Sequence, residues 1–204
     1  MRLRIASYNI HGGTDSEKRP SLPEIERTLL EVDAQVVLLQ EVDRRLPRSG
    51  FQDQLRVLGR HSKYPYGAFY GRLNAGPFGF GNAILSRLAV HGWRRLPLPS
   101  TGGEPRAAIA ATLADGAVVW CTHLGLRDEW RATQTEALAA AIGPPPMEAG
   151  LPVLLAGDFN APVEAGEIQQ LLARTGLHVQ GEDDGPTFPS ATPLVRIDHL
   201  LARG

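Results

Sequence analysis

Several apolar runs in this chain end on polar residues whose types suit a hard cation and an anion. The clearest is Leu154-Leu155-Ala156-Gly157-Asp158-Phe159-Asn160-Ala161-Pro162. The apolar stretch from Val153 to Ala156 reads as a short buried strand. Gly157 permits a tight turn or a close approach. Asp158 and Asn160, two apart on extended backbone, share one face. Pro162 ends the strand. A carboxylate beside a carboxamide can order a cation and a polar nucleophile. One such pair is weak evidence, but other strands end alike: one on Asn9, one on Gln40-Glu41, one on His123 and one that carries Asp198.

Ligands of α/β sheets collect at the carboxyl ends of strands. If these ends meet, Asn9, Glu41, His123, Asp158, Asn160 and Asp198 line one edge. That set is rich in oxygen, has one imidazole and lacks a thiolate cluster. It suits Mg²⁺ or Mn²⁺, which take one or two carboxylates and keep waters. Such an ion can act as a Lewis acid on a phosphoryl oxygen, with a carboxamide and an imidazole as further partners for the developing charge. Each residue alone has a plainer reading. Glu41 can be a solvated strand-end charge, His123 a packed or surface histidine, Asn82 a turn cap and His11 a loop residue beside Gly12-Gly13. Arg106 can be half of a surface pair. Cys121 shares a strand face with His123, but apolar burial suits a cysteine better than a thiol–imidazole pair.

The elements that must carry these residues follow from periodicity. Leu3 to Ile10 alternates as a strand. Leu22 to Glu31 has Ile25, Leu29 and Leu30 at helical spacing, with Ser21 as N-cap and Pro23 in the first turn. Ala34 to Gln40 is a continuous apolar run, as expected of a strand covered on both faces. Strand, helix and strand make a parallel crossover. A short helix is expected over Gln52 to Leu58, and a strand plus a surface loop over the aromatic, glycine-rich stretch from His61 to Gly81. Further strands are expected from Gly81 to Ser86, from Arg106 to Leu113 and, after an Asp115-Gly116 hairpin turn, from Ala117 to His123. Asp128 to Ile142 is the best helix, with Trp130, Ala137, Leu138, Ala141 and Ile142 on one side and Gly143 at its end. The strand ending at Asp158 then completes a second crossover, laid out like the first. Val163 to Arg174 reads as a helix, Gln180 to Thr192 as loop and Val195 to Leu201 as a final strand.

With 204 residues, 43% hydrophobic and 21% charged, the chain suits a single globular domain over residues 1–204. Its net charge of −1 argues against a strongly electrostatic nucleic-acid binder. One cysteine excludes an internal disulfide. No apolar run reaches the roughly 18 residues of a membrane span, and no signal-peptide core precedes the first strand, so a cytoplasmic location and a monomer are the expectation.

Ser7-Tyr8-Asn9, Leu39-Gln40-Glu41-Val42, Gly81-Asn82-Ala83-Ile84-Leu85-Ser86-Arg87, Thr122-His123-Leu124, Arg131 with Gln134, Gly157-Asp158-Phe159-Asn160, Thr187-Phe188-Pro189 and Arg196-Ile197-Asp198 occur in an order that resembles the endonuclease/exonuclease/phosphatase superfamily, the deoxyribonuclease-I-like phosphodiesterases. The resemblance spans nearly the whole chain. It implies an α/β four-layer sandwich, with two mixed β-sheets face to face and helices outside. It also implies divalent-metal-dependent cleavage of a phosphoester. By that likeness Asn9 and Glu41 hold Mg²⁺ (or Mn²⁺), Asp158 orients or activates the attacking water, and Asn160 positions it or binds phosphate. His123 contacts the phosphate or assists proton transfer, Glu104 orients His123, and Asn82 and Arg106 bind substrate. Asp198 resembles the carboxylate that orients the family's second histidine.

The family pattern closes on a further strand that opens with Ser-Asp-His, which does not occur before Gly204. A sheet short of that strand is therefore the expectation. His199 is no substitute, since it points opposite to Asp198 along a strand. This departure motivates an alternative, a non-catalytic relative that binds a phosphorylated ligand or partner. A dinuclear metallophosphoesterase would need Asp-x-His and Gly-Asn-His motifs, and a serine hydrolase Gly-x-Ser-x-Gly; none is present. The near-neutral charge weakly favours a small phosphodiester or lipid headgroup over duplex DNA.

Overall fold

The computed structural model describes residues 3–100, 102–147, 150–181 and 185–204, apart from the side chains of residues 72–75. Expectations for residues 1–2, 101 and 182–184 fall outside that set. Strand β1 (Ile5–Asn9), helix α1 (Leu22–Val32) and strand β2 (Val36–Arg44) form the first crossover, with β1 parallel to β2 from Ile5 opposite Val36 to Asn9 opposite Gln40. Helix α2 (Gln54–His61) and the hairpin β3 (Tyr66–Ala75) and β4 (Phe78–Ser86) follow, giving a four-stranded mixed sheet ordered β1-β2-β4-β3.

The second sheet contains β5 (Val90–Pro97), β6 (Ala107–Leu113), β7 (Val118–His123), β8 (Val153–Asp158), β9 (His178–Gln180) and β10 (Asp198–Arg203), ordered β5-β6-β7-β8-β10-β9. Helix α3 (Asp128–Ile142) carries the parallel crossover from β7 to β8, and α4 (Gly166–Thr175) lies between β8 and β9.

The apolar run of β2 explains the layering. Val36, Val37, Leu38 and Leu39 are all fully buried. Val36 and Leu38 belong with Ile109, Val119, Cys121 and Ala156 of the facing sheet. Val37 and Leu39 turn to the other side, with Ile25 and Leu29 of α1 and Leu58 of α2. Each such side chain contributes about 1.5–3 kcal/mol when removed from water. The second sheet behaves alike: Trp120, Leu155 and Leu201 pack with Leu138 of α3 and Ile168 and Leu171 of α4. The architecture is thus the expected sandwich of two mixed sheets with helices outside.

Several boundaries differ from expectation. Strand β2 runs through Glu41 to Arg44 rather than stopping at Gln40, because a register shift between Leu39 and Val42 lets pairing with β4 resume. The stretch expected as strand plus surface loop is the β3–β4 hairpin. Strand β5 lies where the sequence pattern suggests no element. Ser21 makes no side-chain cap on α1, whereas the Asp53 side chain accepts from Arg56 N–H and caps α2. The buried face of α3 holds Arg131, Gln134, Thr135, Leu138 and Ala139, a more polar set than the apolar stripe expected. Strand β10 starts at Asp198, three residues later than expected. Among the described residues no helix is long and apolar enough to cross a membrane.

Candidate active site

Packing the two sheets face to face brings strand ends from both to one edge. Asn9, at the end of β1, is the link: its Nδ2 donates to Glu41 Oε1 at 2.9 Å on its own sheet and to Asp158 Oδ2 at 3.1 Å on the other. Its Oδ1 accepts the His11 N–H at 3.0 Å, which fixes the orientation of the carboxamide. Glu41 reaches this point because the β2 bulge places it in left-handed backbone, φ 56°, with its carbonyl accepting the Gly12 N–H at 2.9 Å. A β-branched residue would resist that conformation.

Asp158 stands between His123 of β7 and Asp198 of β10, directly opposite both in the two ladders. Gly157 makes this possible. A β-carbon there would lie 1.9 Å from Thr122 O, and its φ of +154° is unusual for any other residue. Asp158 Oδ1 accepts the Asn160 N–H at 2.9 Å, closing a tight turn with Asn160 at φ 51°. The Asn160 Nδ2 donates to Leu124 O at 2.9 Å. The segment after His123 is pinned in turn: Arg131 Nη1 donates to Leu126 O at 2.8 Å, and Gln134 Oε1 accepts the Gly125 N–H at 2.8 Å. Arg131 is itself held by Glu167 at 2.6 Å, with both side chains about nine-tenths buried.

The electrostatics follow from burial and like charge. Burial, then Asp198, push the Asp158 carboxyl up to about 6; hydrogen bonds from Asn9 and Asn160 oppose this, and Glu41 adds to it. Asp198 is raised by burial as well. His123 is almost fully buried, with Nε2 3.6 Å from Asp158 Oδ2. Its Nδ1 lies 3.2 Å from Arg106 Nη1. A guanidinium only donates, so Nδ1 accepts and the ring proton sits on Nε2, facing Asp158. Burial, followed by repulsion from Arg106 and His11, holds the His123 pKa well below its ordinary value.

The structure thus brings together Asn9, Glu41, His123, Asp158, Asn160 and Asp198. Glu104 does not take the role expected of it. Arg106 occupies His123 Nδ1, while Glu104 lies against Arg106 at 3.4 Å and is raised by burial. Asn82 lines the same pocket as Glu41, Glu104, Arg106 and His123, and its Nδ2 ties β4 to β6 through Ala107 O at 2.7 Å. His199 points away, as expected, and donates from Nε2 to Ala161 O at 2.8 Å inside the core. Cys121 is a fully buried core thiol, pushed up to about 12 by burial. Sequence reasoning missed Arg48 and Asp43, which pair with each other beside Phe80 of the pocket wall. It also set aside His11, whose charge is felt at His123.

This fold and this edge of polar strand ends define a class. The Endonuclease/Exonuclease/phosphatase family model matches residues 6–204, and the chain belongs to that family. It is 29% identical to the uncharacterized protein YbhP of Escherichia coli (strain K12), over 98% of this chain and 85% of YbhP. Its fold resembles that of an endonuclease/exonuclease/phosphatase from Beutenbergia cavernae DSM 12333 (TM-score 0.77, 23% identity), covering 98% of this chain and 64% of that one. The chain therefore spans less than two thirds of that relative's length. It also resembles the mannosyl-6-phosphatase of Bacteroides thetaiotaomicron VPI-5482 (TM-score 0.74, 20% identity), over 98% of this chain and 85% of that one.

Proposed function

We propose that the protein is a divalent-metal-dependent hydrolase of phosphoesters, with a small phosphodiester or lipid headgroup as substrate. The observation that carries this reading is the single carboxamide of Asn9, which donates to a carboxylate on each sheet. The donor set fits Mg²⁺ or Mn²⁺. The Asp158 carboxylate is repelled by Asp198 and by Glu41, and shares the neutral amide of Asn9 with Glu41. Among the described residues no group of three His, Cys, Asp or Glu side chains is placed to hold a metal ion by itself. An ion that takes few protein oxygens and keeps its waters suits such a site, whereas structural zinc does not. Glu41 and Asn9 would hold the ion, which when bound supplies Lewis-acid polarisation of a phosphoryl oxygen.

The chain's own residues do the rest. Asp158 Oδ2 accepts a proton from the attacking water as the new O–P bond forms. Asn160 keeps Asp158 aligned through its N–H, and Leu124 O keeps Asn160 in place. His123 donates from Nε2, and Arg106 adds a fixed positive charge behind it. The ester P–O bond breaks, and the leaving oxygen is protonated by water. The charge of Asp198 beside Asp158 favours proton uptake there.

The test is hydrolysis of bis-p-nitrophenyl phosphate with Mg²⁺ against chelator. Glu41→Ala and Asn160→Ala are each expected to lower kcat by about 10²-fold or more. Equal turnover in these variants refutes the assignment. Phosphate binding with no turnover in any condition leaves a phosphate-binding protein instead.

A further inference from the structure

Arg48 lies in the loop after β2, within the single helical turn Pro47–Ser49. Its Nε and Nη2 donate to the two oxygens of Asp43 at 3.0 and 2.7 Å. The Asp43 side chain is fully buried, while that of Arg48 is 59% exposed. The fork is therefore clamped from below and open to solvent above. The guanidinium carbon sits 4.7 Å from the centre of the Phe80 ring. Phe80 lines the pocket that contains Glu41, Arg106 and His123, and it stands opposite Asp43 in the β2–β4 ladder. The clamp is braced on a third side. Gln54 accepts the Asp43 N–H at 2.8 Å and donates to Gly12 O at 2.6 Å. A β-carbon on Gly12 would lie 3.6 Å from Asp43 Oδ2 and 3.8 Å from Arg48 Nε.

Two of the three guanidinium nitrogens are thus committed to Asp43. Among the described residues Nη1 makes no hydrogen bond or ion pair. The carboxylates of Glu41 and Glu104 are felt at Arg48, and Phe80 beneath it lines the pocket, so it stands beside the pocket and not on a remote face. A long, flexible cation normally loses rotamer freedom when it captures an anion; here the bidentate pair and the ring have already fixed it. Arg106 occupies the His123 edge of the same pocket and Arg48 the Phe80 edge. Two fixed cations at two edges match a substrate with two anionic groups.

We propose that Arg48 is a specificity-determining residue that receives a second anionic group, so that the substrate is a phosphoester carrying a further phosphate. This rests on the phosphoester reading above. Two p-nitrophenyl phosphodiesters test it, one with a methyl group as its second ester and one with an ethyl chain ending in a phosphate. Wild type with Mg²⁺ is expected to favour the phosphorylated ester by about tenfold or more in kcat/KM. Arg48→Gln is expected to erase most of that ratio. Arg48→Lys still supplies a charge to Asp43 and guards against misfolding, but it lacks the planar fork that binds Asp43 through two nitrogens and stacks on Phe80 while leaving a third free, so it should erase the ratio too. Arg60→Gln, on the exposed side of α2, is expected to keep it. No preference in wild type, or an intact preference in both Arg48 variants, overturns the proposal.

Calorimetric binding of methylenediphosphonate against methylphosphonate separates this from the hydrolase reading. Loss of the diphosphonate's advantage in Arg48→Gln, with neither ester cleaved by wild type, leaves the second anion site standing and the hydrolase reading refuted. Cleavage of both esters with no such advantage removes only the second site.

Discussion

Replacing Asp158 by Asn should change the pH dependence of stability in a way the geometry specifies. In the folded chain the carboxyl is pushed from 3.8 to about 6, by burial first and by Asp198 second. That displacement corresponds to about 3 kcal/mol, at ~1.4 kcal/mol for each tenfold change in proton affinity. The direction follows from proton counting. Between about pH 4 and 6 the unfolded chain has released this proton while the folded chain still holds it. Folded stability therefore falls as pH rises through that window and levels off above about 6. In Asp158→Asn this contribution to the slope is absent. The variant also exchanges an acceptor of the Asn9 N–H for a donor, which costs about 1–3 kcal/mol at every pH. The diagnostic quantity is thus not the stability difference at one pH but its change across the window. Urea denaturation with chelator at pH 4 and pH 7.5 measures it. The gap between wild type and variant should move by about 2.5 kcal/mol in favour of the variant on going to the higher pH, part of the total lying below pH 4. Saturating Mg²⁺ should restore stability to wild type at pH 7.5, because a cation favours the ionised carboxylate. A gap that stays flat with pH would show that Asp158 does not carry the strained charge assigned to it.

Gly157→Ala should destabilise by about 3 kcal/mol, lowering Tm by roughly 6–12 °C in differential scanning calorimetry, since the added carbon meets Thr122 O; an unchanged Tm would mean that β7 and β8 can separate there freely. Cys121, fully buried with its thiol pushed up to about 12, should resist Ellman's reagent in the native protein and react once the chain is unfolded; rapid stoichiometric labelling without denaturant would contradict its core position.

Much of the frame was legible because its signals are local. Helix α3 has the limits Asp128 and Ile142 that its composition and the Gly143 end predict. The β7–α3–β8 crossover follows from two apolar runs with a helix between them. What escaped depends on contacts distant in sequence. The half-exposed strand β5, with Arg94 and Arg95, is held by pairing with β6 and by stacking of Arg94 on Trp120, neither of which leaves a periodic trace. The bulge that presents Glu41 arises from how β2 and β4 register, so β2 seemed to end where it only changes phase. The buried face of α3 is more polar than an apolar stripe because Arg131 binds a carbonyl and a carboxylate, and Gln134 accepts the Gly125 N–H and donates to Pro99 O. At the site, residue types announced the strand ends, but only geometry shows that Arg106 rather than Glu104 meets His123.

Asn9 reaches from β1 to a carboxylate on each of the two sheets with one nitrogen. It therefore works as a caliper: any sliding or swelling of the layer between the sheets lengthens one of its two arms before the other. The small residues Ala111 and Ala156 in that layer set the gap that the caliper reads. Neither half of the molecule can be tuned alone, and the spacing of the sandwich is itself a determinant of how the centre is set.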